Sequence, residues 1–516
     1  MAVTTPTDIR VPTGASRRPR VSPTNVAAIG SFALAAVVYI RTLLPGISFG
    51  DWGEPGLLLS RLGILHPTGY PLYSLVGWLF SLIPLESVAW RANLVSAAAA
   101  AGVVGVTVLI AVRLGVRPLL AAAAALSLAF VGTIWQEATF SKANALHLLL
   151  VALLLHRALV WRDERRDRDL VLGALLAGLC ISNHGLALTV VPIVVLFVLV
   201  DGRREVAAHP FVLVKALVAL AIGLLPYLYL PLRASVGPAD VYGSFLTWNG
   251  LFGHVSGAQF RGDMHFLSID SARTAWAALP RVLDEFVTLS NVVFVAAGII
   301  GLAIIVVRDR WYGVLLVLLG VVNVYFYANY LGNLQHYLLT TWLVLAIGLG
   351  VTAEHFVQGI VARFGNRAGS VQFLAFLLPI ALLATNWTAH DQSANHDAET
   401  FTAKVFAALP PNALLITYWD ALTPLSYEHC NQGVRPDVSL RAYDAYALVT
   451  CDKLISPQAA LAAGRPVFAL MVFDQGLAAF THLTPVPVET IRLPWGQRYA
   501  ELDRPLYQLV AAGQAP

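Results

Sequence analysis

The sequence predicts an α-helical polytopic membrane protein with about eleven transmembrane helices and a small C-terminal extracytoplasmic α/β domain. Three observations predict it. Hydrophobic residues make up 57% of the 516 and charged residues 12%, against about 25% charged in soluble proteins, and mean hydropathy is +0.69. The apolar runs are long and rich in Leu, Ala and Val, without the alternating pattern of a membrane β-barrel. After residue 388 the pattern changes to short strand-like runs separated by helical ones.

Residues 1–24 are polar, Pro/Thr-rich and basic, with Arg10, Arg17, Arg18 and Arg20, and read as a disordered cytoplasmic tail. The stretch 25–44 is long enough to cross a bilayer. It lacks a small-residue cleavage site, so it reads as an uncleaved first span rather than a signal peptide. Residues 45–91 form a first outer loop: Pro55 suits the first turn of a helix over "PGLLLSRLGIL", and "HPTGYP" breaks it. A second, interfacial helix follows in "LYSLVGWLFSLIP" (72–84), with Tyr and Trp at headgroup depth.

Further crossings fall near 92–112, 118–134, 144–160, 170–183, 184–200, 211–232, 290–307, 311–330, 337–355 and 371–387, which completes a transmembrane module over 25–387. Residues 170–200 are too long for one simple span and short for two. A single crossing would put a flanking Arg cluster outside, so a tight hairpin with "SNHG" (182–185) at its tip is expected. A long outer loop covers 233–289. In the domain 388–516 a helix is expected near 397–408, with strands at 413–420, 437–444 and 466–473.

Charge sets the orientation. Arg113/Arg117, "WRDERRDRD" (161–169), "DGRRE" (201–205), "RDR" (308–310) and Arg363/Arg367 all fall on the side of the N-terminal tail, which the positive-inside rule makes cytoplasmic. The Arg and Ala excess points to a GC-rich bacterial genome, so the expected location is a bacterial cytoplasmic membrane. The net charge of +4 comes with no basic stripe interleaved with aromatics, which argues against nucleic acid as a partner. Cys180 lies in an apolar run and reads as a small buried hydrophobe, whereas Cys430 and Cys451 are a disulfide candidate in the outer region. Spacing leaves that pairing open.

The topology gathers polar chemistry at one rim. Asp51 and Glu54 stand three residues apart behind the first span, where they either cap a helix or form a catalytic pair. His66 is either a turn hydrogen-bonder or a substrate contact, and Asn183 and His184 either cap helix ends or line a site. Arg233 either snorkels to the interface or holds a lipid phosphate through its planar fork, and Lys142 is a similar candidate. Together these fit one reaction. A sugar on a polyprenyl phosphate has a leaving group already stable as an anion. Transfer then needs a carboxylate to take the acceptor proton and a cation to hold the phosphate. No Gly-rich phosphate cradle or zinc spacing is present. No cofactor is expected beyond the lipid-linked donor, and a divalent ion is left open.

These residues also carry a resemblance. "DWGE…GILHPTGYPLY…RANLVSA" resembles the D-S-G-E…G-I-P-H-P-P-G-Y-P-L-Y…R-V-N-L-L-S-A signature of a membrane family once known only as a domain of unknown function, now grouped with protein O-mannosyltransferases as glycosyltransferase family 117. "GLCISNHGLALTVVP", "YLYLPLRA" and "YWDALTPLSYEHCNQGVRPDV" (418–438) continue the match. The resemblance implies a GT-C fold and transfer of a sugar, with mannose one candidate, from a lipid phosphate to a protein or envelope glycan or lipid hydroxyl. It implies Asp51 as base or acceptor-orienting carboxylate and Glu54 as its partner, His66 and Tyr70 shaping the cleft, and Asn183, His184 and Arg233 near the donor phosphate. The chain departs from the family at Trp52 and Pro55, and at Lys142, where an acid is expected. Glu137 is the nearby acid that could replace it.

Two other classes compete. A transporter or lipid flippase would show repeated halves and polar groups near the midplane, which the sequence lacks. A non-catalytic envelope assembly factor would use the outer domain to bind partners.

Overall fold

The computed structural model describes residues 22–208, 210–236, 247–263, 273–274, 276–284, 286–330, 335–443, 451–452, 455–471, 482–493 and 502–511. Nearly all of the expected basic tail, and much of the loop 233–289, lie outside them.

The chain enters through α1 (Pro23–Arg41), capped by the Ser22 hydroxyl, which accepts from the Asn25 N–H at 3.2 Å. The first loop carries α2 (Gly50–Leu58), a 3₁₀ turn (Leu59–Arg61) and α3 (Pro71–Ser81). The bundle continues with α4 (Val88–Arg113), α5 (Pro118–Ala129), α6 (Gly132–Thr139), α7 (Ala143–Glu164), α8 (Asp167–Asn183) and α9 (Ala187–Asp201). Short α10 (Arg203–Ala208) leads to α11 (Phe211–Leu224) and α12 (Tyr229–Ser235). The long loop holds α13 (Trp248–Val255) and α14 (Leu279–Asp284). Four helices complete the bundle: α15 (Leu289–Arg308), α16 (Arg310–Asn329), α17 (Leu339–Phe364) and α18 (Leu377–His390).

Each expected crossing overlaps helical structure, although 118–134 is broken between α5 and α6, and 211–232 and 371–387 each combine α-helix with a 3₁₀ segment. Among the described residues eight helical segments are long and apolar enough to span a membrane, and α5 and α6 form a further pair bent by 69°. The hairpin expected at 170–200 is α8 and α9, both shorter, with the turn at His184–Leu186. This is a multi-pass membrane protein. Glycines let its helices approach: a Cβ on Gly301 would sit 1.8 Å from the Gly348 oxygen, so α15 and α17 touch backbone to backbone. At the end of the bundle away from α2, Arg113–Asp163 (3.2 Å), Arg157–Asp169 (2.6 Å) and Arg165–Asp201 (2.6 Å) tie the helix ends together.

The C-terminal region contains α19 (Asp397–Ala408), β1 (Leu414–Thr417), α20 (Trp419–Cys430), β2 (Ser439–Ala442), α21 (Pro457–Ala462), β3 (Val467–Leu470), β4 (Leu483–Leu493) and β5 (Leu502–Ala511). The sheet order is β2-β1-β3-β5-β4. The three expected strands are its parallel half, and β4–β5 is an antiparallel hairpin on its edge. Leu422 and Leu425 of α20 join the same buried core as Leu57 and Leu58 of α2, so the domain is packed onto the bundle. Cys430 and Cys451 form a disulfide, with Cα atoms 5.7 Å apart. Cys180 is a buried free cysteine.

One local expectation is corrected. The first loop helix begins at Gly50, five residues before Pro55. Gly50 takes a positive φ of 54°, open to a residue without Cβ, and turns the chain into the helix early. Asp51 and Glu54 therefore lie inside α2.

Candidate active site

At positions i and i+3 of α2, the two carboxylates share a helix face but meet different surroundings. The Glu54 side chain is buried at 1% exposure and that of Asp51 is 46% exposed, opening into a cleft. Glu54 Oε1 accepts the His66 backbone N–H at 2.7 Å, and Oε2 accepts from His66 Nδ1. Tyr70 OH donates to the Pro67 carbonyl at 3.3 Å and lies 3.1 Å from His66 Nε2. Its remaining lone pair suits an Nε2–H, so both ring nitrogens of His66 have acceptors, as an imidazolium requires. Burial works against that charge, but Glu54 and Asp51 outweigh it and raise His66 above its ordinary value.

Lys142 reaches the same place from the other side. Ser141 Oγ donates to the Trp52 carbonyl at 2.7 Å, and Trp52 stacks on Phe140 at 4.9 Å, which fixes the α6–α7 link against α2. Lys142 Nζ then lies 3.8 Å from Asp51 Oδ2, while His66 Nε2 is 3.9 Å from the same oxygen. Trp419 Nε1 donates to Asp51 Oδ1 at 2.9 Å. The cleft walls penalise charge on Asp51. His66, Lys142 and the indole N–H together overcome that and hold its carboxyl below the usual carboxylate range.

The cleft has a volume of about 350 Å³, within the range of small-ligand sites. Asp51, His66, Tyr70, Lys142, His184 and His336 form its polar end. Leu186, Leu188 and Phe260 line an apolar side, and Leu188 is 69% exposed on the membrane-module surface. Tyr330 and Tyr337 pack edge to face at 5.1 Å and also line the cleft.

Of the residues singled out in the sequence, the fold brings Asp51, His66, Tyr70, Lys142 and His184 to one cavity. Glu54 stands behind His66. Glu137 is also one layer back: Asn144 Nδ2 donates to it at 2.9 Å, and it lies 3.9 Å from Nδ1 of the cleft residue His336. Asn183 Nδ2 donates to the Ala143 carbonyl at 3.1 Å and ties α8 to the start of α7 rather than facing the cavity.

Arg233 corrects the expectation of a phosphate-holding arginine. Its Nε donates to the Leu62 carbonyl at 2.7 Å and its terminal nitrogen to the Arg61 carbonyl at 3.1 Å. The ends of helical turns carry orphan carbonyls, and the guanidinium satisfies two of them at the end of the 3₁₀ turn. Arg233 therefore braces the first loop, and among the described residues Lys142 is the lysine or arginine that lies beside Asp51. His336, Tyr330, Tyr337 and Trp419 were not singled out in the sequence. The His-Tyr pair opening a span and the "YWD" of the quoted 418–438 stretch were the available signals.

Residues 51–207 match the family model described as the protein O-mannosyl-transferase TMEM260 N-terminal domain. Over 442 residues, 80% of this chain and 62% of the relative, the chain is 25% identical to protein O-mannosyl-transferase TMEM260 of Mus musculus. Over 461 residues, 79% of this chain and 56% of the relative, it is 23% identical to protein O-mannosyl-transferase tmem260 of Dictyostelium discoideum. The chain thus spans less than two thirds of the length of these relatives. Among solved structures it is similar to ArnT from Cupriavidus metallidurans bound to undecaprenyl phosphate, with a TM-score of 0.59, 15% identity, and coverage of 95% of this chain and 99% of that one. It is also similar to the archaeal oligosaccharyltransferase AglB from Archaeoglobus fulgidus, in complex with an inhibitory peptide and a dolichol-phosphate, with a TM-score of 0.50, 13% identity, and coverage of 89% and 72%. The shared fold is GT-C.

Proposed function

We propose that this chain, a multi-pass membrane protein of GT-C fold in the protein O-mannosyltransferase-like family, transfers a sugar from a polyprenyl-phosphate donor to a hydroxyl acceptor. The observation that carries the reading is Asp51: a carboxylate open to a cleft, with Lys142 at 3.8 Å and His66 at 3.9 Å favouring its charged form. Asp51 takes the proton of the acceptor hydroxyl, whose oxygen forms the new bond to the anomeric carbon. The bond from that carbon to the phosphate oxygen breaks, and the lipid phosphate leaves as an anion. Lys142 and the imidazolium of His66 receive that charge.

The lipid portion of the donor runs past Leu186 and Leu188 to the bilayer, which accounts for the apolar side of the cleft. Mannose and a protein hydroxyl are the favoured sugar and acceptor because the relatives are named protein O-mannosyl-transferases. An envelope glycan or lipid hydroxyl suits the same chemistry. The site faces away from the cytoplasm, in a bacterial cytoplasmic membrane. The Cys430–Cys451 disulfide supports an oxidising compartment for the C-terminal domain, and the Arg-rich helix ends at the opposite pole support the cytoplasm there.

The test supplies purified protein with radiolabelled polyprenyl-phosphate sugars and a panel of hydroxyl acceptors, and compares Asp51→Asn. Label is expected to leave the lipid in the wild type and to fall by 10²–10⁴-fold in the variant. Equal transfer by Asp51→Asn removes Asp51 from the mechanism, and no turnover with any donor favours a transporter or assembly factor.

A further inference from the structure

Trp419 opens α20 directly after β1, at the carboxyl end of a central parallel strand. That is the edge at which open α/β sheets present residues to ligands, and here it faces the membrane module. The indole Nε1 donates to Asp51 Oδ1 at 2.9 Å. The ring lies edge-on to His66, centroids 6.4 Å apart.

Several contacts hold the indole in that position. A Cβ on Gly53 would lie 2.9 Å from Thr423 Oγ1, so α2 and α20 approach as closely as a glycine allows. Asn431 Nδ2 donates to the Leu57 carbonyl at 3.3 Å, just past the far end of α20. Cys430 is anchored by its disulfide. Asp420, next to Trp419, pairs with Arg504 of β5, which is 2% exposed.

We propose that Trp419 is a positioning residue for the transfer reaction: its N–H occupies Oδ1 of Asp51 and leaves Oδ2 aimed at the acceptor hydroxyl. The C-terminal domain is thereby part of the active site. This rests on Asp51 acting as the base. The terminal torsion of an aspartate is broad and roughly two-fold, so an unheld carboxylate presents either oxygen over a range of angles. A hydrogen bond from a rigid ring selects one, and holding reacting atoms in place is a large part of catalysis. The other groups around Asp51 are His66 from the first loop, Lys142 before α7, Glu54 one turn along α2, and the phenols of Tyr70 and Tyr337 across the cleft. Among these, Lys142 and His66 approach Oδ2, whereas Trp419 binds Oδ1.

The experiment uses the full chain in detergent or nanodiscs, with Trp419→Phe, which keeps a ring and deletes the N–H, and Trp419→His, which restores a ring N–H. Carbodiimide labelling of the Asp51 carboxyl is followed against pH by peptide mass spectrometry, alongside steady-state transfer. In Trp419→Phe the labelling midpoint is expected to move up by about one pH unit, as losing a hydrogen bond to a charged group implies. Its kcat is expected to fall about tenfold with little change in donor KM, and Trp419→His is expected to recover part of both. An unchanged midpoint in Trp419→Phe protein that elutes as wild type overturns the proposal, and so does a moved midpoint with unchanged kcat. Failure of the base reading is seen separately, as Asp51→Asn turning over like the wild type.

Discussion

Lys142 Nζ lies 3.8 Å from Asp51 Oδ2, so a cation preceding α7 faces the carboxylate that α2 carries to the cleft. The family that the chain resembles is expected to carry an acid where this chain has Lys142. The exchange places a positive charge beside Asp51, with the nearby acid, Glu137, turned towards His336 one layer back. A lysine there suits a leaving phosphate better than a second carboxylate would.

Replacing that cation tests its role. Lys142→Gln is expected to raise the donor KM about tenfold, because a charge-assisted contact to phosphate is lost. Lys142→Arg should keep most of the affinity. Steady-state transfer against donor concentration measures both, and an unchanged KM in Lys142→Gln removes Lys142 from phosphate recognition.

The activity should have an acid limb and an alkaline limb. Asp51 is held below the usual carboxylate range, so transfer persists as pH falls to about 4 and is lost only below it. His66 is raised, so its positive charge, and transfer with it, is lost as pH rises through a value above about 6.5. Glu54 supports that charge, and Glu54→Gln is expected to move the alkaline limb to lower pH in a kcat/KM profile. An alkaline limb that stays in place would show that the Glu54–His66 pair serves packing alone.

Gly53 tests the seam between the two parts of the molecule. A Cβ there would fall 2.2 Å from the Ser48 carbonyl oxygen and 2.9 Å from Thr423 Oγ1. Overpacking of that kind costs about 1–3 kcal/mol. Gly53→Ala is therefore expected to lower the thermal midpoint and to increase protease access to the 388–516 domain. Wild-type behaviour in both measurements would mean that α2 and α20 can separate freely.

The C-terminal domain carries its own pH dependence. His429 Nε2 lies 3.2 Å from Asp452 Oδ1 and Nδ1 lies 3.1 Å from the Val434 carbonyl, and the hydrogen bond to Asp452 leads the causes that raise the imidazole above its ordinary value. A histidine raised on folding adds stability that is complete below its unfolded value of about 6.5 and is lost as pH rises through the folded one. Asp452→Asn should therefore lower the unfolding temperature more at pH 6 than at pH 9. Equal losses at the two pH values would rule out a charged His429.

Much was legible one residue at a time. Apolar length marks where each crossing lies, since a bilayer demands a continuous hydrophobic run whatever its neighbours do. "SNHG" stands out as a polar break inside such a run, and the fold puts it at the α8–α9 turn. The carboxylates of the first loop stand out for the same reason. Arg233 shows where this kind of reading stops. A basic residue closing a span has the same signature whether it meets a phosphate or a backbone carbonyl, and only the approach of α12 to the 3₁₀ turn decides between them.

The sequence by itself determined the membrane module, the appended α/β domain and the short set of polar residues from which a site could be made. Those follow from solvation, which acts on each segment separately. Only the tertiary structure decided which polar residues meet. Lys142 rather than Arg233 flanks Asp51, His336 enters the wall, and Trp419, 368 positions away, donates to the carboxylate. Contacts over such separations depend on how helices pack and how a second domain docks, and pairwise geometry of that kind leaves no periodic trace along a single chain.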